Sequence, residues 1–305
     1  TGFRTYFEFR ITTTDRSSDS QDYGHGFTFA VLSAENNTTS RRGGAPKANT
    51  IFGSGYYLAE LLCYAGSDDT SDQLGLQPPK FAVEFDTYPN TSAMTYDGCS
   101  RGRNDGNRNH IASVFWGSNR SSTCYYISDV GVLSNPNPLK ISYDDNIHGQ
   151  GTSGSGAEQT PLNSLIGDAT GGYCRRLDGR VSVGGTTYNW MEDNQIHRVR
   201  IEVTRNDNRD YNIKAWVDCE DACCSQTGSC PSNLCNLSDF ENLAQPYTGY
   251  APKINRTVRM HPNLNRDFER MIFGFTQATT GNYWSFETTA TQHIEITNFK
   301  MYFTP

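Results

Sequence analysis

Period-2 alternation of apolar and polar residues recurs along almost the whole chain, and it restricts the fold more than any other feature of the sequence. In "TYFEFRIT" Phe7, Phe9 and Ile11 share one face, and in "GFTFAVLS" Phe27, Phe29 and Val31 do the same. Similar runs are "KFAVEFDTY", "HIASVFW", "HRVRIEVTR", "YNIKAWVD", "RMIFGFTQ" and "HIEITNFKMYF". No long 3.6-period stretch competes with them. Two short candidate helices, Thr160 to Ile166 and Ser238 to Leu243, read as decorations. The pattern predicts an all-β protein, an antiparallel β-sandwich of two sheets packed face to face with long inserted loops.

Within that frame "RVRIEVTRNDNRDYNIKAWVD" predicts a hairpin with apolar faces Val199, Ile201, Val203 and Ile213, Ala215, Val217. The first and last strands are expected to lie close together. Two segments break the rhythm. "GQGTSGSGAEQT" (149–160) is low in complexity and predicts a flexible loop. Residues 219–250, which open on "CEDACCSQTGSCPSNLC", predict a Cys-rich insertion. With no internal repeat and no linker, residues 1–305 are read as one elaborated domain.

Composition narrows the function classes. The formal charge is −7, with 26 Lys and Arg against 33 Asp and Glu, and the basic residues are scattered. That argues against nucleic acid, whose phosphates call for a concentrated basic surface, and against anionic membranes. No apolar run approaches the roughly 18 residues that span a bilayer, so no membrane insertion is expected. The sequence opens at Thr1 inside strand-like residues with no basic-then-apolar leader, which predicts a processed chain or a piece of a longer one. Nine cysteines without C-x2-C pairs favour disulfides over zinc and predict an extracellular or cell-surface protein, the odd count leaving one thiol free or bonded elsewhere. Sequons at Asn36, Asn37, Asn90, Asn119, Asn236 and Asn255 carry little weight in a chain this rich in Asn, Ser and Thr.

"FAVEFDTYPN" (81–90) is the stretch with chemistry in it. Alternation puts Phe81, Val83 and Phe85 on one face and Glu84, Asp86 and Tyr88 on the other. Two carboxylates two residues apart on one face stand roughly 6.5–7 Å apart along the strand, close enough to hold neighbouring ions or share one. Calcium takes six to eight oxygens, and Asn90 with the Tyr88 carbonyl adds neutral ones. "NDGNRNHIAS" adds Asp105 and His110, the latter a donor suited to manganese or another transition ion. The other reading of the same residues is that Glu84 and Asp86 are surface acids paired with arginines and that His110 merely starts a strand.

Taken together, "FAVEFDTYPN", the Asp105 to His110 spacing, "GFTFAVLSA", "GFTQATTG" and "HIEITNFKMYF" resemble the legume or L-type lectins and their bacterial relatives, in the same order and over nearly the whole chain. The resemblance implies a jelly-roll sandwich of the concanavalin-like lectin and glucanase type. It also implies that Glu84, Asp86, Asp105 and His110 bind a transition ion such as Mn2+, and that Asp86, the Tyr88 carbonyl, Asn90 and Asp105 bind Ca2+. Calcium would order the loops and aim Asn90 at sugar hydroxyls.

The chain departs from the family where the sugar would sit. The family's Asp-Gly before the "FTF" strand is His25-Gly26, with Asp22 three residues earlier. Ala59-Glu60 stands where legume members have a Gly pair, and Cys63 replaces another Gly. The Asn90 to Asp105 loop is longer and brings Asp97 as a rival ligand. Asn90, His25, Gly26, Glu60, Tyr283 and Trp284 are therefore the candidate carbohydrate-binding residues, with Tyr23 or Tyr96 as a further aromatic wall.

Glycoside hydrolases on this sandwich carry E-x-D-x-x-E or E-x-D-x-E on one strand, whereas here "TYP" follows "EFD" without a second Glu. No G-x-S-x-G elbow or phosphate-binding glycine pattern occurs either. The sequence predicts a non-enzymatic, calcium-dependent lectin or adhesin domain with glycans as partners. The competing expectation is a structural or protein-adhesive domain of an extracellular appendage that keeps calcium but has lost sugar binding, motivated by His25.

Overall fold

The computed structural model describes residues 1–13, 26–34, 80–87, 94–96, 99–101, 110–115, 180–183, 186–189, 191–206, 210–219, 236–250, 252–259, 270–278 and 292–305. They form thirteen strands and one short helix. The strands are β1 (Gly2–Thr13), β2 (Gly26–Ser33), β3 (Lys80–Asp86), β4 (Met94–Tyr96), β5 (Cys99–Arg101), β6 (His110–Phe115), β7 (Arg180–Val183), β8 (Thr186–Asn189), β9 (His197–Arg205), β10 (Asp210–Val217), β11 (Ile254–Arg259), β12 (Met271–Ala278) and β13 (Gln292–Thr304). The helix, α1, is Leu237–Glu241.

Two antiparallel sheets carry the fold, in the orders β11-β10-β9-β1-β13 and β12-β2-β3-β6. This is the all-β architecture the alternation predicts. Phe7 of β1 meets Phe27, Phe29, Phe85 and Phe275 of the facing sheet at centroid distances of 5.0–6.3 Å. Edge-to-face packing of this kind adds to the burial of apolar area, which alone stabilises by roughly 25 cal/mol per Å2. The first and last strands do pair, Phe3 opposite Phe303 and Ile11 opposite Ile294. The β9–β10 hairpin has the expected inner face, with Val199, Ile201, Val203, Ile213, Ala215 and Val217 all buried.

One irregularity sets the phase of β13. Its register with β1 shifts between Tyr6 and Glu8, where Asn298 adopts a left-handed φ of 52°. Such a bulge moves the inward positions by one residue. Ile294 and Ile296 pack on the core before it, and Phe299 and Met301 after it. Asn298 Nδ2 donates to Glu8 Oε2 at 2.6 Å, fixing the bulge to β1.

Part of the outer face of the five-stranded sheet is buried as well. Residues 236–250 lie over it and close a second apolar cluster of Tyr6, Trp216, Cys219, Phe240, Leu243 and Tyr247. Arg200, wholly buried, is the clamp. Its guanidinium donates to the carbonyls of Asp239, Phe240, Asn242 and Gln245, pairs with Glu202 at 2.8 Å and lies over the Tyr247 ring. Helix α1 is capped by Asn236, whose side-chain oxygen accepts from the Ser238 N–H, and it buries Phe240. This is the helix expected near Ser238 to Leu243. Cys219 is disulfide-bonded. The candidate helix at 160–166 and the loop 149–160 lie outside the described residues.

Candidate functional site

Strand β3 lies between β2 and β6, with Phe81, Val83 and Phe85 turned to the core. The alternate positions, Glu84 and Asp86, take the opposite face, and both are 0% exposed. The reading of these residues as surface acids therefore fails. Transferring a carboxylate from water to a protein interior costs several kcal/mol unless positive charge or hydrogen-bond donors meet it, and two on one strand compound the cost.

The register identifies what lies beside them. Glu84 is across from Thr28 on β2 and Ala112 on β6, and Asp86 is across from Gly26 and His110. Residues separated by 24 positions in sequence, 86 and 110, thus occupy facing register positions. On the β12 side the same face continues with Thr276, whose hydroxyl lies 2.6 Å from that of Thr28.

Gly26 belongs to this arrangement through its backbone. Its φ is +98°, a conformation that side-chain-bearing residues rarely adopt, and a Cβ there would sit 2.0 Å from the Phe85 carbonyl oxygen. The glycine lets β2 close against the end of β3. Its N–H donates to Gln292 Oε1 at 3.2 Å. Gln292, itself 2% exposed, donates through Nε2 to Thr87 Oγ1 at 2.9 Å and to Glu192 Oε1 at 3.2 Å. One amide from β13 thus ties together the start of β2, the residue that follows Asp86, and the turn at 191–196.

Beyond Glu192 lies a second ionic group. His197 donates from Nδ1 to Asp218 Oδ2 at 2.7 Å and from Nε2 to Asp193 Oδ1 at 3.0 Å, and its ring stacks on Phe9 at 5.0 Å. Both nitrogens facing carboxylates demands an imidazolium. Burial works against that charge, but Asp218 and Asp193 outweigh it and hold the pKa up at about 10. Desolvation works against the Asp218 charge too, yet His197, Lys253 and the Arg198 N–H keep its carboxyl below the ordinary range. With both nitrogens engaged, this His is a structural cation and not an acid–base group.

Sequence reasoning placed Glu84, Asp86, Gly26 and position 110 in one neighbourhood, and the register brings them together. Tyr88, Asn90, Asp105, His25, Glu60, Tyr283 and Trp284 lie outside the described residues, as does the side chain of His110. Among the described residues no group of three or more His, Cys, Asp or Glu forms a metal centre. Gln292, Glu192 and the Asp193–His197–Asp218 group were missed. The signal was slight: "MEDNQIH" puts two acids ahead of a His four residues from the second, and nothing local marks Gln292.

No family model matches the chain, and no curated protein matches it. Among solved structures, the alginate lyase Aly36B aligns with 99% of this chain and 69% of its own, at 12% identity and a TM-score of 0.34. Lectin UEA-II in complex with galactose aligns with 98% of this chain and 72% of its own, at 13% identity and a TM-score of 0.32. Lectin II from Ulex europaeus gives the same coverage and identity with a TM-score of 0.33. These likenesses are loose, and the functional reading below rests on this chain's own residues.

Proposed function

We propose that the chain is a calcium-dependent carbohydrate-binding domain, a lectin or adhesin domain of an extracellular or surface-displayed protein, that binds glycans without transforming them. The observation that carries the reading is the complete burial of Glu84 and Asp86 on the outer face of β3, with Gly26 and position 110 on either side of Asp86. A divalent cation compensates two such charges better than a monovalent partner. Glu84, Asp86, Asp105 and His110 are the ligands proposed for a transition ion. Asp86, the Tyr88 carbonyl, Asn90 and Asp105 are those for calcium.

In this reading the ions supply charge compensation and hold the chain after Asp86, and the residues of the chain do the recognising. Asn90 offers sugar hydroxyls both a donor and an acceptor. Gly26 itself lies opposite Asp86, at the end of β3. Gln292 holds Thr87, one residue from the Tyr88 carbonyl, and so acts as a positioning residue.

The test is glycan-array binding of the purified chain in calcium, repeated after EDTA, with Asn90→Ala in parallel. Binding that EDTA abolishes and Asn90→Ala removes supports the lectin. A folded chain that binds calcium but no glycan supports the second reading, a structural or protein-adhesive domain of an extracellular appendage, for which His25 in the acceptor position is the motive. A chain that binds neither calcium nor glycan refutes both.

A further inference from the structure

At the other end of β3, about 16 Å from Asp86 along the strand, the two sheets part and leave a cavity of about 330 Å3. That size lies at the lower end of the roughly 300–1,000 Å3 typical of small-molecule sites. Its wall is aromatic and continuous. Phe3 stacks on Phe81 at 6.3 Å with an 11° interplanar angle, and Phe81 meets Tyr211 at 6.4 Å. Val203 adds an aliphatic side, and Phe303, 56% exposed, stands at the mouth.

Among the described residues, one charged side chain joins this wall. Arg205 lines the cavity with its guanidinium 6.0 Å from the centre of the Tyr211 ring, while its backbone N–H donates to the Thr1 carbonyl. Among the described residues no carboxylate pairs with that guanidinium. The contrast is with Arg10 and Arg200, which do have acidic partners, Glu295 and Glu202. A planar guanidinium beside a tyrosine can offer its N–H edge to a bidentate carboxylate.

From this juxtaposition of an aromatic cavity and an arginine with no carboxylate partner among the described residues, we infer a binding site for a small aryl-alkyl carboxylate. The ligand's apolar body lies between Phe3, Phe81 and Phe303, and its carboxylate meets Arg205. The site is separate from the proposed ion and sugar site and does not depend on it.

Calorimetric titration of phenylbutyrate, with phenylbutanol as the uncharged counterpart, into the full chain tests this. The expected result is saturable binding of the acid, at least about tenfold tighter than the alcohol, as a charge-assisted pair requires. Arg205→Gln reduces the acid to the affinity of the alcohol and leaves the alcohol unchanged, and Phe303→Ser weakens both. Circular dichroism establishes that each variant is folded, and the acid-to-alcohol ratio in the wild type needs no variant at all. Absence of saturable binding, equal affinity for acid and alcohol, or binding untouched by both substitutions overturns the inference.

Discussion

The two sheets present outer faces of opposite character. On the five-stranded sheet, Tyr6 and Trp216 are covered by residues 236–250 and form a second apolar core, and the fully buried Arg200 is used up on carbonyls and Glu202. On the four-stranded sheet, the corresponding positions are Thr28, Glu84, Asp86 and Thr276. Both faces bury side chains, but one buries them in hydrophobic packing that serves stability and the other buries carboxylates. A protein keeps buried charge on a sheet at a cost, so the second face is where function is to be sought.

The largest expected effect is on the first face. Arg200→Ala deletes the clamp, strands the Glu202 carboxylate and is expected to destabilise by about 3–5 kcal/mol, read as a lower midpoint in urea with no change in the calcium affinity of the folded fraction. Loss of calcium binding in this variant would mean that the two faces are coupled.

Next is the His197 group, which ties the start of β9 to the end of β10 and to the turn at 191–196. Its folded pKa of about 10 exceeds the ordinary 6.5, so its contribution is fully present below the unfolded value and is lost as pH rises toward the folded one. Stability should fall by roughly 3–4 kcal/mol between about pH 7 and 10. Denaturant midpoints across that range should show the slope, and His197→Gln should flatten it. An unchanged slope in the variant would remove His197 as its source.

A smaller effect is expected on the second face. Saturating calcium at about a hundred times its Kd should stabilise the wild type by about 2.7 kcal/mol, and Asp86→Asn should abolish that increment. A variant that is stabilised by calcium as strongly as the wild type would place the ion elsewhere. Smallest of all, Gln292→Leu should cost about 1–2 kcal/mol through the Gly26 N–H that loses its acceptor and weaken calcium several-fold, with Gln292→Glu recovering the Gly26 bond but not the donor to Thr87. Equal calcium affinity in wild type and Gln292→Leu would reduce Gln292 to a purely structural tie.

What the chain reveals in one dimension follows the range of the interactions. Strand faces are written locally, so Phe7 and Phe9, or Val199, Ile201 and Val203, could be assigned to the core from alternation alone. Even the β13 bulge is legible: apolar residues fall at 294 and 296 and resume at 299, 301 and 303, and the skipped phase contains an Asn, a residue that tolerates left-handed φ. The acids of β3 stood out because carboxylates in an apolar strand are costly. Arg200 did not, since an arginine alternating with Val199 and Ile201 looks like an ordinary solvent-facing residue until residues some forty positions later fold over it. Gln292 and the His197 group were hidden for the same reason. Asp193 is close to His197, but Asp218 and the partners of Gln292 are remote in sequence, and neither amide nor imidazole announces which carboxylate or N–H it will meet.

The pairing of β1 with both β9 and β13 also has a kinetic side. The strand that opens the sequence occupies an interior position in its sheet, held by partners about 200 and 300 residues downstream. Bringing the ends of a loop of the longer kind together costs roughly 5 kcal/mol of chain entropy before any contact repays it, and topologies dominated by such remote pairings nucleate slowly. During synthesis β1 therefore emerges long before either neighbour exists, with Phe3, Phe7 and Phe9 uncovered. The molecule spends its vulnerable interval as a chain waiting for its last strand, and its yield on refolding should depend on how dilute it is kept until that strand arrives.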